Sequence, residues 1–185
     1  KIPDGKGPCV NVQSELTAYN FAGDYTAWFY NGENHNIGPE KLTETDGTRL
    51  PVMTVKAGDK HYMAIHEACL ETGAPLVLQS KGGESLFSVA SKPTSLSPGY
   101  TSAWRVVLYG TTPGVLTDSH LLELLNPDPD SRYDFSWVKP GLAVWDWRIN
   151  GAVWDGFTYG MSYPSWVRMV DFAAEQGFKY LVLDA

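Results

Sequence analysis

The sequence predicts a mixed fold: a β-sandwich over residues 1–116, a linker over 117–140, and a βαβ unit over 141–185. Three observations predict it. Short apolar–polar alternating runs separated by Gly, Asn, Asp and Pro turns fill the first part, as in sandwich strands. The stretch Asn126-Pro127-Asp128-Pro129-Asp130 then acts as a stop signal. Beyond it the pattern becomes strand, excursion, helix and strand, which implies a parallel pair.

In the first part the strand-like runs are 15–21, 27–30, 50–56, 61–66, 74–79, 86–90 and 102–109. Turn signals between them include Asp46-Gly47, Ala57-Gly58-Asp59, Lys81-Gly82-Gly83 and Ser97-Pro98-Gly99. Residues 51–65 read as a hairpin, with alternation on both arms and a polar turn. In the linker, residues 118–125 fit either a short helix or a last strand.

In the second part, residues 142–147 read as a strand and the glycine-rich, aromatic stretch 150–161 as a loop. Ser162 is the expected N-cap, with Pro164 in the first turn of a helix that runs to about Gln176. Trp166, Val170, Ala173 and Ala174 would form its apolar face, and Gly177 its left-handed cap. Residues 178–184 are a buried strand by composition. Such a strand needs neighbours on both edges, so the chain reads as part of a larger enzyme. An open doubly wound sheet and a (β/α)8 barrel both begin with this unit.

The net charge of −7 and the lack of a basic cluster argue against a nucleic-acid partner. No apolar stretch approaches membrane-spanning length. The two cysteines, Cys9 and Cys69, have no metal-ligand spacing and read as buried small apolar residues. No phosphate-cradling glycine loop, GxSxG elbow or HExxH is present.

Candidate site residues are few. In a barrel the site gathers at the C-terminal ends of the strands, here Trp145-Asp146-Trp147 and Asp184. Two carboxylates flanked by indoles suit a sugar: carboxylates accept from hydroxyls and rings stack on its C–H faces. Asp146 could instead pair with Arg148 or cap the loop, and Asp184 could simply end a strand. Glu67 ends an apolar strand and is costly to bury unless paired or metal-bound, although register could also place it in solvent.

The succession Ala64-Ile65-His66-Glu67-Ala68, Ala103-Trp104-Arg105-Val106-Val107-Leu108, Ser136-Trp137-Val138-Lys139-Pro140-Gly141 with Trp145-Asp146-Trp147, and Val170-Asp171-Phe172-Ala173-Ala174-Glu175-Gln176-Gly177 through Asp184 resembles glycoside hydrolase family 97. The resemblance implies the end of an N-terminal β-sandwich followed by the first βαβ unit of a (β/α)8 catalytic barrel. It implies a calcium-dependent exo-acting α-glycosidase acting on terminal α-linked galactose or glucose, with a lean to the retaining branch. It also implies a calcium ligand at Glu67, sugar contacts at Trp145, Asp146, Trp147 and Asp184, and a periplasmic or secreted location. The catalytic carboxylates would lie on later barrel strands, in another chain or in the rest of the same enzyme. Arg148 and the stretch 150–159 depart from the family pattern at the substrate rim. Two other readings compete: a non-catalytic carbohydrate-binding β-sandwich, and a doubly wound hydrolase.

Overall fold

The computed structural model describes residues 1–33, 35–71 and 73–184. It divides into two compact units, Lys1–Asp128 and Pro129–Ala185.

The first unit is mostly β. Its strands are β1 (Val10–Val12), β2 (Ala18–Asn20), β3 (Thr26–Tyr30), β4 (Asn36–Lys41), β5 (Asp46–Lys56), β6 (Tyr62–Ala68), β7 (Leu78–Lys81), β8 (Leu86–Val89), β9 (Thr94–Leu96) and β10 (Trp104–Gly110). An antiparallel sheet runs in the order β10-β6-β5-β7-β8-β2, with β3 pairing both β4 and β5 beside it. The eleven-residue β5 links its two halves: Asp46–Arg49 pairs β7, and Met53–Lys56 pairs β6. Bulges in β3 add to the curl. β1 and β9 form a separate ribbon.

The curled face encloses Phe29, Met53, Val55, Ile65, Leu78 and Phe87. Phe87 is fully buried between Phe21 and Phe29. Burying such a side chain contributes about 1.5–3 kcal/mol. On the opposite face, Ala64, Ala68, Val106 and Leu108 pack against Leu116, Leu122 and Leu125. Those leucines come from two single turns, α1 (Gly114–Thr117) and α2 (Leu121–Leu124), and from the residue that ends α2. Within the ambiguous stretch 118–125, Leu121–Leu124 forms a single helical turn.

The hairpin expected over 51–65 forms, with Met53 opposite Ile65 and Lys56 opposite Tyr62. Other boundaries move. Only Ala18–Asn20 of the run 15–21 is strand, the strand expected at 74–79 lies at Leu78–Lys81, and Asp46-Gly47 lies inside β5 rather than in a turn. β4 was hidden by Pro39, which an edge strand tolerates because no ladder bond is lost. Gly38 beside it is needed: φ is +118°, and a Cβ would stand 2.6 Å from the Ala27 carbonyl oxygen.

The cysteines depart from expectation. Cys9 is exposed in the N-terminal segment, its Sγ 3.8 Å from Ser97 Oγ. Cys69 is half-buried and leaves β6 with a left-handed φ of 57° while donating its N–H to Asn126 Oδ1. Both thiols are free.

The second unit contains β11 (Ala143–Trp145), the single turn α3 (Asp146–Ile149), β12 (Val153–Trp154), β13 (Phe157–Thr158), α4 (Tyr163–Gln176) and β14 (Tyr180–Val182). β11 and β14 are adjacent and parallel, with Trp145 opposite Val182. The strand expected at 142–147 stops at Trp145 because the backbone turns helical at Asp146. The expected loop 150–161 holds a small hairpin, β12–β13, turned by Asp155 and Gly156, both at positive φ.

α4 starts after Ser162, carries Pro164 in its first turn, and ends at Gly177 with φ 72°. The Phe178 N–H closes that cap on the Ala173 carbonyl. Its buried stripe is Ser165, Met169 and Ala173; of the expected face Trp166, Val170, Ala173 and Ala174, only Ala173 is buried, while Trp166 is half-buried, Val170 half exposed and Ala174 exposed. The run 178–184 is also not buried in this chain, since Val182 and Leu183 are about half exposed. Among the described residues, no helix is long and apolar enough to cross a membrane.

Candidate functional site

In the first unit, Glu67 is part of a buried ionic network. Antiparallel register sets it opposite Arg105 on β10. Arg105 Nη1 donates to Glu67 Oε2 at 3.0 Å, and the Leu76 N–H donates to the same oxygen at 2.5 Å. The Arg105 fork continues to Glu15, with Nε to Oε1 at 2.9 Å and Nη2 to Oε2 at 2.8 Å, and Nη2 also reaches the Ala74 carbonyl. Glu67 is 8% exposed, so this pairing answers the cost of its burial.

The charges perturb each other. The bonds from Arg105 hold the Glu15 carboxyl below its usual range, against a smaller opposing effect of burial. The Glu15 carboxylate raises Arg105 in turn. Burial pushes the Tyr19 phenol up, and its buried hydroxyl has no partner among the described residues.

The sequence reading of site residues missed Glu15 and Arg105. The signal for Arg105 was available: it is a charged residue within an otherwise apolar strand, the argument already applied to Glu67. Glu15 gave none, because it lies ninety residues away and outside any strand.

His66 does not join Glu67 in a ligand pair. Alternation sends the two side chains to opposite faces, and His66 Nδ1 accepts the Glu67 backbone N–H at 2.7 Å. Calcium takes about six to eight oxygens. Among the described residues no three His, Cys, Asp or Glu side chains are grouped to hold a metal ion. The described residues by themselves therefore do not complete a calcium site, and Glu67 could supply only one carboxylate to it.

A cavity of about 980 Å³ opens beside Glu15 and Arg105. Its wall mixes aliphatic residues such as Val12, Ala74 and Val77 with polar ones such as Ser91, Lys92 and Thr94, and Tyr100 is the one aromatic ring among its described lining residues. Tyr100 is thus the single ring it offers for stacking on a sugar.

In the second unit the sequence-predicted residues Asp146 and Asp184 meet, but not as two free carboxylates. Asp146 Oδ1 accepts the Asp184 backbone N–H at 2.9 Å, and Oδ2 accepts the Trp166 indole N–H at 2.9 Å. Asp146 is 1% exposed, whereas the Asp184 side chain is open to solvent. Asp146 does not pair with Arg148, whose guanidinium lies 5.1 Å from the centre of the Trp145 ring. Trp145 is half-buried, and its indole N–H is buried without a partner among the described residues. Trp147 lies in α3 rather than at a strand end and is half exposed.

Similar proteins share both the sequence and the fold. The chain is 28% identical to a retaining alpha-galactosidase of Bacteroides thetaiotaomicron over 88% of its length, and 28% identical to a probable retaining alpha-galactosidase of Streptomyces bingchenggensis over its whole length. It spans 28% of each of those relatives. A glycoside hydrolase family 97 enzyme from Pseudoalteromonas sp. strain K8, solved in complex with acarbose, superposes with a TM-score of 0.76 at 24% identity, over 97% of this chain and 29% of that one. A beta-arabinopyranosidase superposes with a TM-score of 0.75 at 16% identity, over 98% of this chain and 32% of that one. Residues 1–127 match the family profile described as Glycosyl-hydrolase 97 N-terminal, and the chain belongs to glycoside hydrolase family 97.

Proposed function

We propose that the chain is part of an exo-acting α-glycosidase that hydrolyses terminal α-linked galactose or glucose, with retention at the anomeric carbon. The observation that carries this reading is the match of residues 1–127 to the family, joined to 28% identity with two proteins named as retaining alpha-galactosidases or probable ones. The parallel pair β11–β14 with α4 between them in sequence supports the start of a (β/α)8 barrel after the sandwich. The exposed Asp184 carboxylate accepts from sugar hydroxyls, and the open face of Trp147 stacks on the ring.

Cleavage itself needs two carboxylates flanking the glycosidic bond and an oxocarbenium-like transition state. Those groups come from the full-length protein outside this chain. Glu67 would supply one oxygen donor to a calcium ion whose other ligands would come from outside this chain, and Arg105 and the Leu76 N–H fix its carboxylate. The protein works in the periplasm or outside the cell. The reading of a non-catalytic sugar-binding sandwich has only the single ring of Tyr100 in the cavity beside Arg105 to support it.

The test compares the full-length protein with the 185-residue chain on nitrophenyl α-galactoside and α-glucoside. The full-length protein turns over at least one, and the chain alone turns over neither, because positioned acid and nucleophile supply most of the rate. A full-length protein inactive on both would overturn the proposal.

A further inference from the structure

Asp146 sits where a strand could continue and does not. β11 ends at Trp145, opposite Val182, and the backbone then turns into α3. A continued parallel ladder would offer backbone carbonyls to the N–H groups beyond Val182. α3 withdraws them. The Asp146 carboxylate takes their place, accepting the Asp184 N–H through Oδ1. Its other oxygen accepts the Trp166 indole N–H from the first turns of α4. One buried side chain thus joins the ends of two parallel strands to the helix between them in sequence.

We infer that Asp146 is a positioning residue, which holds the backbone at Asp184 so that the exposed Asp184 carboxylate is aimed at the sugar. The inference rests on the proposed role of Asp184 in substrate binding. Its chemistry requires an acceptor on both oxygens. A carboxylate supplies that; an amide supplies one acceptor and one donor. In Asp146→Asn the NH2 group must face either the Asp184 N–H or the Trp166 N–H, and that donor is left unpaired in a buried place.

The experiment is a double-mutant cycle in the full-length protein, read as kcat, KM and Tm on a nitrophenyl α-glycoside. Trp166→Phe alone removes only the helix-side donor; it lowers Tm and leaves kcat/KM within about twofold. Asp146→Asn lowers kcat/KM about tenfold or more, since small misplacements of a positioned group are costly. Adding Trp166→Phe to Asp146→Asn removes the competing donor, lets the amide oxygen return to the Asp184 N–H, and recovers most of the lost kcat/KM. A purely structural role predicts additive losses of Tm with no recovery of kcat/KM. Asp146→Asn with wild-type kcat/KM, or a double variant no better than the single one, overturns the inference while an active wild type leaves the proposed function standing. An inactive wild type overturns both.

Discussion

Arg105 donates through Nε and Nη2 to the two carboxylate oxygens of Glu15, at 2.9 and 2.8 Å, while its remaining Nη1 reaches Glu67. One guanidinium therefore ties the segment before β2 to the two strands β6 and β10. Its planar fork is what permits this, and a lysine could not reproduce both the bidentate pair and the third bond.

The first prediction is a loss of stability on removing that cation. Arg105→Met leaves Glu67, 8% exposed, without its counter-charge. The expected cost is about 3 kcal/mol or more, as for breaking a buried pair from one side. Urea unfolding followed by tryptophan fluorescence measures it. A midpoint equal to wild type would mean that the network is energetically idle.

The second prediction concerns acid. The Glu15 carboxyl is lowered in the folded state, first by its bonds from Arg105. Its contribution is therefore present above the unfolded value of about 4.3 and is lost as pH falls through the folded value. Glu15→Gln should be less stable than wild type at pH 7 by about 1–2 kcal/mol. The gap should narrow as the pH drops below about 4. A gap that stays constant from pH 7 to pH 3 would contradict this assignment.

The third prediction concerns backbone geometry at Gly38. Gly38→Ala forces a side chain into a φ of +118° and against the Ala27 carbonyl. The β3–β4 pair should loosen, with a loss of about 3 kcal/mol. Amide exchange of β3 and β4 reads the effect locally. Unchanged protection there would show that β4 accommodates a Cβ at this position.

The parts of the fold legible in the sequence are those with local causes. The β5–β6 hairpin followed from alternation on both arms, and α4 from Ser162, Pro164 and Gly177. The small hairpin carried its signal in Asp155-Gly156, yet its arms are two residues each, too short for alternation to register. The buried stripe of α4 was misjudged because a helix face depends on what packs against it, and Ser165 is buried while accepting the Gly160 N–H. Asp146 and Glu67 were found as residues, but their partners were not. An indole twenty positions away and a backbone N–H thirty-eight away leave no mark on the local pattern.

The fourth prediction concerns Glu67 and metal. In the full-length protein, Glu67→Gln should weaken calcium binding, read by titration calorimetry, because a neutral amide oxygen replaces a charged ligand. Unaltered affinity would remove Glu67 from the calcium site and leave it a partner of Arg105 only.

The most direct test of the central claim is proton NMR of the first sugar anomer released when the full-length protein acts on a nitrophenyl α-galactoside or α-glucoside. A retaining enzyme that passes through a covalent intermediate releases the α-anomer first. That result is expected here. First release of the β-anomer would contradict the retaining assignment, and absence of hydrolysis with either substrate would contradict the α-glycosidase reading itself.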